Sequence, residues 1–131
     1  MIVIDASAAL ELLLRTALAP IIEARLLDPR QTVHAPHLID VEITQVLRRY
    51  CAAGDLTDQR AREALADFVD LPVTRYPYQP FLARIWELRR NSTAYDAAYI
   101  ALAEVLGAPL VTCDRALAPV PGHRATVEVI T

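Results

Sequence analysis

Met1-Ile2-Val3-Ile4-Asp5, and near the other end Leu110-Val111-Thr112-Cys113-Asp114, decide the fold: each is an apolar strand-like run that stops on an aspartate. Strands of an open α/β sheet bind ligands at their carboxyl ends, so both aspartates are expected at that edge. Two further acids, Glu42 and Asp96, fall on predicted helices. Brought to the same edge, the four would form a cage of hard oxygen ligands suited to Mg²⁺, with Mn²⁺ as a substitute.

Working outward from the first strand, Ile2 to Asp5, a helix is expected from Ala6 to about Arg15, with Leu10, Leu13 and Leu14 as its apolar stripe. A second runs from Ala19 to Leu27, with Pro20 in its first turn, and Asp28-Pro29-Arg30 breaks it. Thr32 to Ala35 reads as a short strand. A helix from about His37 to Ala53 follows, stopped by Gly54, and Ile39, Ile43, Val46, Leu47 and Tyr50 form its buried face. Thr57 caps the next helix, which continues to about Val69. Two prolines restrict Leu71 to Pro77 to a short edge strand. A helix from Pro80 to Arg90, a polar loop, a helix from Ala94 to Leu106 ended by Gly107, and strands at Leu110 to Cys113 and near Thr126 to Ile130 complete the chain. This order predicts an α/β layer structure in one domain, residues 1–131.

Each acid also has a purely local explanation. Asp5 and Asp114 can start the turn after a strand, and Asp96, three residues after Thr93, fits a capping box at a helix N-terminus that favours an anion. Taken together the balance shifts. Carboxylates about 4 Å apart repel by roughly 4 kcal/mol per pair at an effective dielectric near 20, and a divalent cation offsets several such pairs where one arginine cannot.

Although 54% of the residues are hydrophobic, no run reaches the roughly 20 apolar residues of a membrane span, and no basic leader precedes the first strand. Two cysteines do not make a disulfide framework. These features predict a soluble, cytoplasmic protein with no membrane partner. The formal charge of −3 becomes +1 once the four proposed ligands are set aside, so acidity does not exclude a nucleic-acid substrate. All 13 basic residues are Arg, which closes every mechanism that needs a catalytic lysine. Arg48-Arg49 and Arg89-Arg90 are expected late in helices, where cations suit the dipole; the same residues would hold RNA phosphates if they rim the acidic pocket.

Four stretches carry a family resemblance: Val3-Ile4-Asp5-Ala6-Ser7, Val41-Glu42-Ile43-Thr44-Gln45-Val46-Leu47-Arg48-Arg49, Tyr95-Asp96-Ala97-Ala98-Tyr99-Ile100-Ala101-Leu102-Ala103, and Leu110-Val111-Thr112-Cys113-Asp114. In order and spacing they resemble the motifs of PIN-domain ribonucleases, and within these the VapC toxins of toxin-antitoxin pairs. The resemblance spans nearly the whole chain. It implies a three-layer α/β/α sandwich around a mainly parallel sheet, and Mg²⁺-dependent endonuclease activity on RNA. It also implies a homodimer, and a VapB-type antitoxin partner that inhibits the toxin in a hetero-oligomer. Carried over residue by residue, it makes Asp5, Glu42, Asp96 and Asp114 the acidic site, with Ser7 and Thr112 in support. Gln45 departs from the pattern, since many relatives carry Asn there.

Metal held by such acids activates a water for attack on phosphorus, so no protein nucleophile is required. Ser7 is placed either to bond a metal water or to cap the first helix, and Thr112 either to orient Asp114 or simply to continue its strand. His34 and His37 are separated by Pro36 and do not share a helical face, so they do not suggest zinc. Phe81, Ile85 and Leu88 recur at helical spacing and read as core. A phosphatase of the haloacid dehalogenase type needs a second acid where Ser7 stands, and a receiver domain needs a lysine. A serine hydrolase needs glycines beside Ser7, which has Ala6 and Ala8. The remaining alternative is a PIN-like module that binds RNA or a partner without cutting.

Overall fold

The computed structural model describes residues 1–131. Five strands, β1 (Ile2–Ile4), β2 (Val33–Pro36), β3 (Val73–Tyr76), β4 (Leu110–Thr112) and β5 (Val127–Val129), form one sheet in the order β3-β2-β1-β4-β5. Every neighbouring pair is parallel. The central strands are the most apolar: β1 and β4 are buried along their whole length, as strands covered on both faces must be. β3 is an edge strand, as Pro72 and Pro77 beside it require.

Six α-helices make the connections: α1 (Ala6–Leu13), α2 (Ala19–Leu26), α3 (Leu38–Ala52), α4 (Asp58–Asp70), α5 (Leu82–Glu87) and α6 (Ala94–Leu106). The chain steps from β1 to β2 to β3 in one direction, then returns through α5 and α6 to β4 on the far side of β1. Right-handed crossovers in opposite directions place α6 on the opposite face from α1 and α3. α6 packs across β1, β2 and β4, while α1 packs on α2, α3 and α4. Three layers result. Ala97 to Ala103 are all buried, and the small side chains in this run allow α6 its close approach to the sheet.

The reversal of strand order falls between β1 and β4, so a crevice opens at their carboxyl ends. Asp5 and Asp114 both follow these strands. Thr93 caps α6, accepting a hydrogen bond from Asp96 N at 3.1 Å, and Gly107 ends that helix at φ +60°, which needs no Cβ accommodation. Asp96 is thereby fixed in the first turn.

Several boundaries differ from expectation. α1 stops at Leu13 because Arg15 adopts a left-handed φ of 55°. β4 ends at Thr112, before Cys113. The segment expected as one helix from Pro80 to Arg90 begins with a 3-10 turn, Gln79–Phe81, and its α-helical part ends at Glu87. Arg89 and Arg90 therefore lie beyond the helix. Arg89 instead stacks its guanidinium on Trp86, 4.4 Å from the ring centre, and donates to Trp86 O.

Candidate metal and nuclease site

Residues from three helices and two strand ends line one open cavity of about 280 Å³. The end of β1 and the start of α1 supply Asp5, Ser7, Leu10 and Glu11; α3 supplies Glu42, Val46, Arg49 and Tyr50; α6 supplies Asp96 and Tyr99; Asp114 closes the rim. All four acids singled out in the sequence meet there.

Asp5 is the deepest, 6% exposed. Its Oδ1 accepts from Ser7 Oγ at 2.7 Å and from Ala8 N at 3.0 Å, and its Oδ2 accepts from Thr112 Oγ1. The first helix is thus capped by Asp5 itself, not by Ser7. Ser7 Oγ also accepts from Cys113 N at 2.9 Å, and Thr112 Oγ1 accepts from Asp114 N at 3.0 Å. The two hydroxyls therefore tie β1 to the end of β4 and orient Asp5. On the rim, Asp114 Oδ1 caps a 3-10 turn by accepting from Ala116 N at 2.9 Å. Glu42 reaches in from α3, where its Oε1 accepts from Tyr99 OH at 2.7 Å.

Burial pushes the carboxyl groups of Asp5, Glu42 and Asp96 above their ordinary range. Mutual repulsion adds to it: Asp96 raises both Asp5 and Glu42, and is itself raised by Asp114. None of the four forms an ion pair with an arginine. No three of them are drawn close enough to close around an ion. Four acids face one cavity with no cation among them.

Tyr50 and Val46 correct the expected buried face of α3. Ile39, Ile43 and Leu47 are in the core, but Val46 is only partly buried and Tyr50 is 39% exposed, and both line the cavity because the last turns of α3 overhang it. Of the four arginines considered, Arg49 alone reaches the cavity; Arg48, one residue away on α3, does not line it, and neither do Arg89 and Arg90. Glu11 and Tyr99 were missed as site residues, Glu11 because it reads as a break in an apolar run and Tyr99 because it reads as core. His34 is buried in the sheet, its ring nitrogens bonded to Thr32 and Tyr76, and it takes no part.

The sequence matches the PIN domain family over residues 2–122. It is 43% identical over 130 residues to Ribonuclease VapC12 of Mycobacterium tuberculosis, covering 99% of both chains. The chain belongs to the PIN-domain family, in its branch of VapC toxin ribonucleases. A VapC ribonuclease of Mycobacterium bovis, Mb0985, is also 43% identical over 130 residues, covering 99% of this chain and 98% of that one. The fold of this PIN domain superposes on that of VapBC2 from Rickettsia felis, solved bound to a promoter DNA fragment, with a TM-score of 0.73 at 14% identity and 98% coverage of both chains.

Proposed function

We propose that residues 1–131 act as a single PIN domain, a cytoplasmic Mg²⁺-dependent endoribonuclease toxin that hydrolyses RNA phosphodiesters and is silenced by a VapB-type antitoxin. The observation that carries this reading is the convergence of Asp5, Glu42, Asp96 and Asp114 on one cavity with no arginine paired to any of them. No helix is long and apolar enough to cross a membrane.

The donor set fits a hard divalent cation: it is all carboxylate oxygen, partly desolvated, and lacks internal neutralisation. Asp5, Glu42, Asp96 and Asp114 would hold it. When bound, Mg²⁺ supplies charge neutralisation at the phosphate and activation of a water. The chain's own groups do the rest. Ser7, Thr112 and Ala8 N hold both oxygens of Asp5 at one orientation. Arg49, on the same cavity wall, would take a flanking phosphate. Neither neighbouring nucleophile is free for covalent attack: Ser7 Oγ is engaged on both sides, donating to Asp5 and accepting from Cys113 N, and burial with the charges of Glu11 and Asp5 pushes the Cys113 thiol up to about 11. Water is left as the attacking group.

An antitoxin fits the same cavity. A guanidinium offers a fork of donors that two carboxylates accept together. On the other side of α1, an apolar cleft of about 280 Å³ lined by Leu12, Leu13, Leu26, Leu27 and Phe68 would seat an apolar antitoxin segment. We infer a homodimer and a hetero-oligomer with the antitoxin as the working assemblies.

The test is cleavage of structured RNA with Mg²⁺ or Mn²⁺, with excess chelator, and with Asp96→Asn. Cleavage that survives chelation overturns the metal mechanism. Binding without cleavage at any metal concentration favours a non-cutting module instead.

A further inference from the structure

Glu42 differs from the other three acids in how it is held. Asp5, Asp96 and Asp114 each sit at a strand end or helix start where the backbone fixes them, whereas Glu42 stands in the body of α3 with three side-chain torsions to order. It is repelled from the cavity by Asp96 and Asp5, so an unrestrained Glu42 would swing towards solvent. One hydrogen bond opposes that. Tyr99 OH donates to Glu42 Oε1 at 2.7 Å, and Glu42 makes no other side-chain hydrogen bond, which leaves Oε2 open.

Tyr99 suits this task in three ways. It is 2% exposed, its ring packed in the core, so its hydroxyl has a fixed position. It lies three residues after Asp96 on α6, on the same face, so it ties the carboxylate of one helix to the helix that carries another. It is also a cavity residue, with its hydroxyl at the wall.

Resting on the nuclease reading, we propose that Tyr99 is a positioning residue which holds Glu42 in the cavity against its like-charged neighbours and so raises the affinity of the site for a divalent cation. It touches neither substrate nor cation. Its effect passes through one oxygen of Glu42.

The experiment is Mn²⁺ titration of the whole protein by calorimetry, in the native chain, Tyr99→Phe, Glu42→Asp and the double variant, with thermal melts alongside. Phe keeps the ring and removes only the hydroxyl, so the fold should persist. The expected result is a Mn²⁺ dissociation constant about 3–10-fold weaker in Tyr99→Phe, the net scale of one ordinary hydrogen bond. Glu42→Asp is one methylene too short to reach Tyr99, so in that background Tyr99→Phe should change affinity less than about twofold. RNA cleavage by Tyr99→Phe should recover towards the native kcat as Mg²⁺ is raised, which loss of packing would not permit. Equal Mn²⁺ affinity in native and Tyr99→Phe, the same loss in the Glu42→Asp background, or a Tyr99→Phe chain that does not fold each overturn the proposal. If the native protein takes up no Mn²⁺ at all, the nuclease reading itself fails; native uptake with an indifferent Tyr99→Phe removes only this inference.

Discussion

The two ends of α6 each carry a carboxylate drawn wholly or partly out of water, and the chain treats them differently. Near the C-terminal end, Glu104 has 4% of its side chain exposed. Arg84 donates to it through Nε at 2.9 Å and Nη2 at 3.0 Å, and Arg124 N adds a third bond at 3.0 Å. Arg84 holds this carboxyl below its ordinary range and offsets both burial and the unfavourable helix dipole. At the other end Asp96 has no cation, and burial with Asp114 raises its carboxyl. A fold able to neutralise one buried carboxylate from within leaves four together at the sheet edge with no cation of its own among them.

The largest effect separates the two ends by function. Asp96→Asn should lower RNA cleavage by about three orders of magnitude or more, the scale of losing transition-state charge stabilisation, while Glu104 and Arg84 variants that stay folded should cleave normally. Initial rates at saturating Mg²⁺ measure this. Asp5→Asn is a poorer probe, because Asp5 accepts three hydrogen bonds through two oxygens and an amide has one acceptor. It should cost about 1–3 kcal/mol of stability in addition to activity.

Next in size is stability. Arg84→Ala strands Glu104 and releases Glu87 and Gly122 O, with a cost of about 2–3 kcal/mol. That is below the usual figure for a buried pair because the Arg84 side chain is 28% exposed. Denaturant melts at pH 7 would show it, and a loss under about 0.5 kcal/mol would mean that the pair is ornamental.

The same comparison fixes the sign of the pH dependence. A depressed carboxyl such as Glu104 contributes stability above its unfolded value near 4.5, and that stability is lost as pH falls through the folded value. A raised carboxyl such as Asp96 favours the fold below its unfolded value near 3.8, and that contribution is lost as pH rises through the folded value. Asp96→Asn should therefore stabilise the metal-free protein at pH 7 by about 1 kcal/mol, since the repulsion removed exceeds the helix-dipole gain forfeited. The gain should vanish on acidification. Mg²⁺ should raise the melting temperature of the native chain and leave Asp96→Asn nearly unmoved.

How much of this was legible follows from which signals are local. Apolar runs ending on Asp5 and Asp114 announced strands whose carboxyl ends meet, because a parallel sheet needs such runs at its centre and a ligand crevice at its switch point. Glu42 was legible because it lies beside an apolar helical stripe, and Asp96 because the uncharged run Ala97 to Ala103 follows it. Tyr50 was misread from the same stripe as Glu42: its spacing from Ile39 and Ile43 marks a helical face, but periodicity does not say where that face runs off the core and over a cavity. Tyr99 lay hidden in the wholly buried run Ala97 to Ala103, where only its hydroxyl departs from core chemistry. The Arg84 network with Glu104 and Gly122 is a tertiary arrangement that no local signal carries.

Among the arginines the expected effect is smaller. Arg49 faces the cavity and Arg89 is stacked on Trp86, so Arg49→Ala should weaken RNA binding and lower the salt slope by about one phosphate contact, and Arg89→Ala should change it little. Binding would be measured in the Asp96→Asn background across a salt series. Equal slopes for all of Arg48, Arg49, Arg89 and Arg90 would break the distinction drawn from the cavity wall.

The smallest effect asks whether an antitoxin does for the acidic cavity what Arg84 does for Glu104. An inserted guanidinium would accept the place that the chain leaves open, paired to carboxylates through a fork of donors, and it would need the same oxygens as Mg²⁺. Two ligands that share one set of oxygens must weaken each other equally, whichever binds first. Raising Mg²⁺ at constant ionic strength should therefore weaken antitoxin affinity for the native chain by about fivefold, the low end of such couplings. The apolar cleft across α1 has no carboxylate cluster to share, so any affinity gained there should be indifferent to Mg²⁺. Asp96→Asn keeps that cleft and removes one of the shared charges, so its antitoxin affinity should respond to Mg²⁺ much less than the native chain's does. An affinity that ignores Mg²⁺ in both proteins would place the antitoxin's grip on the apolar side alone, with inhibition by covering the RNA path and the acids left unpaired.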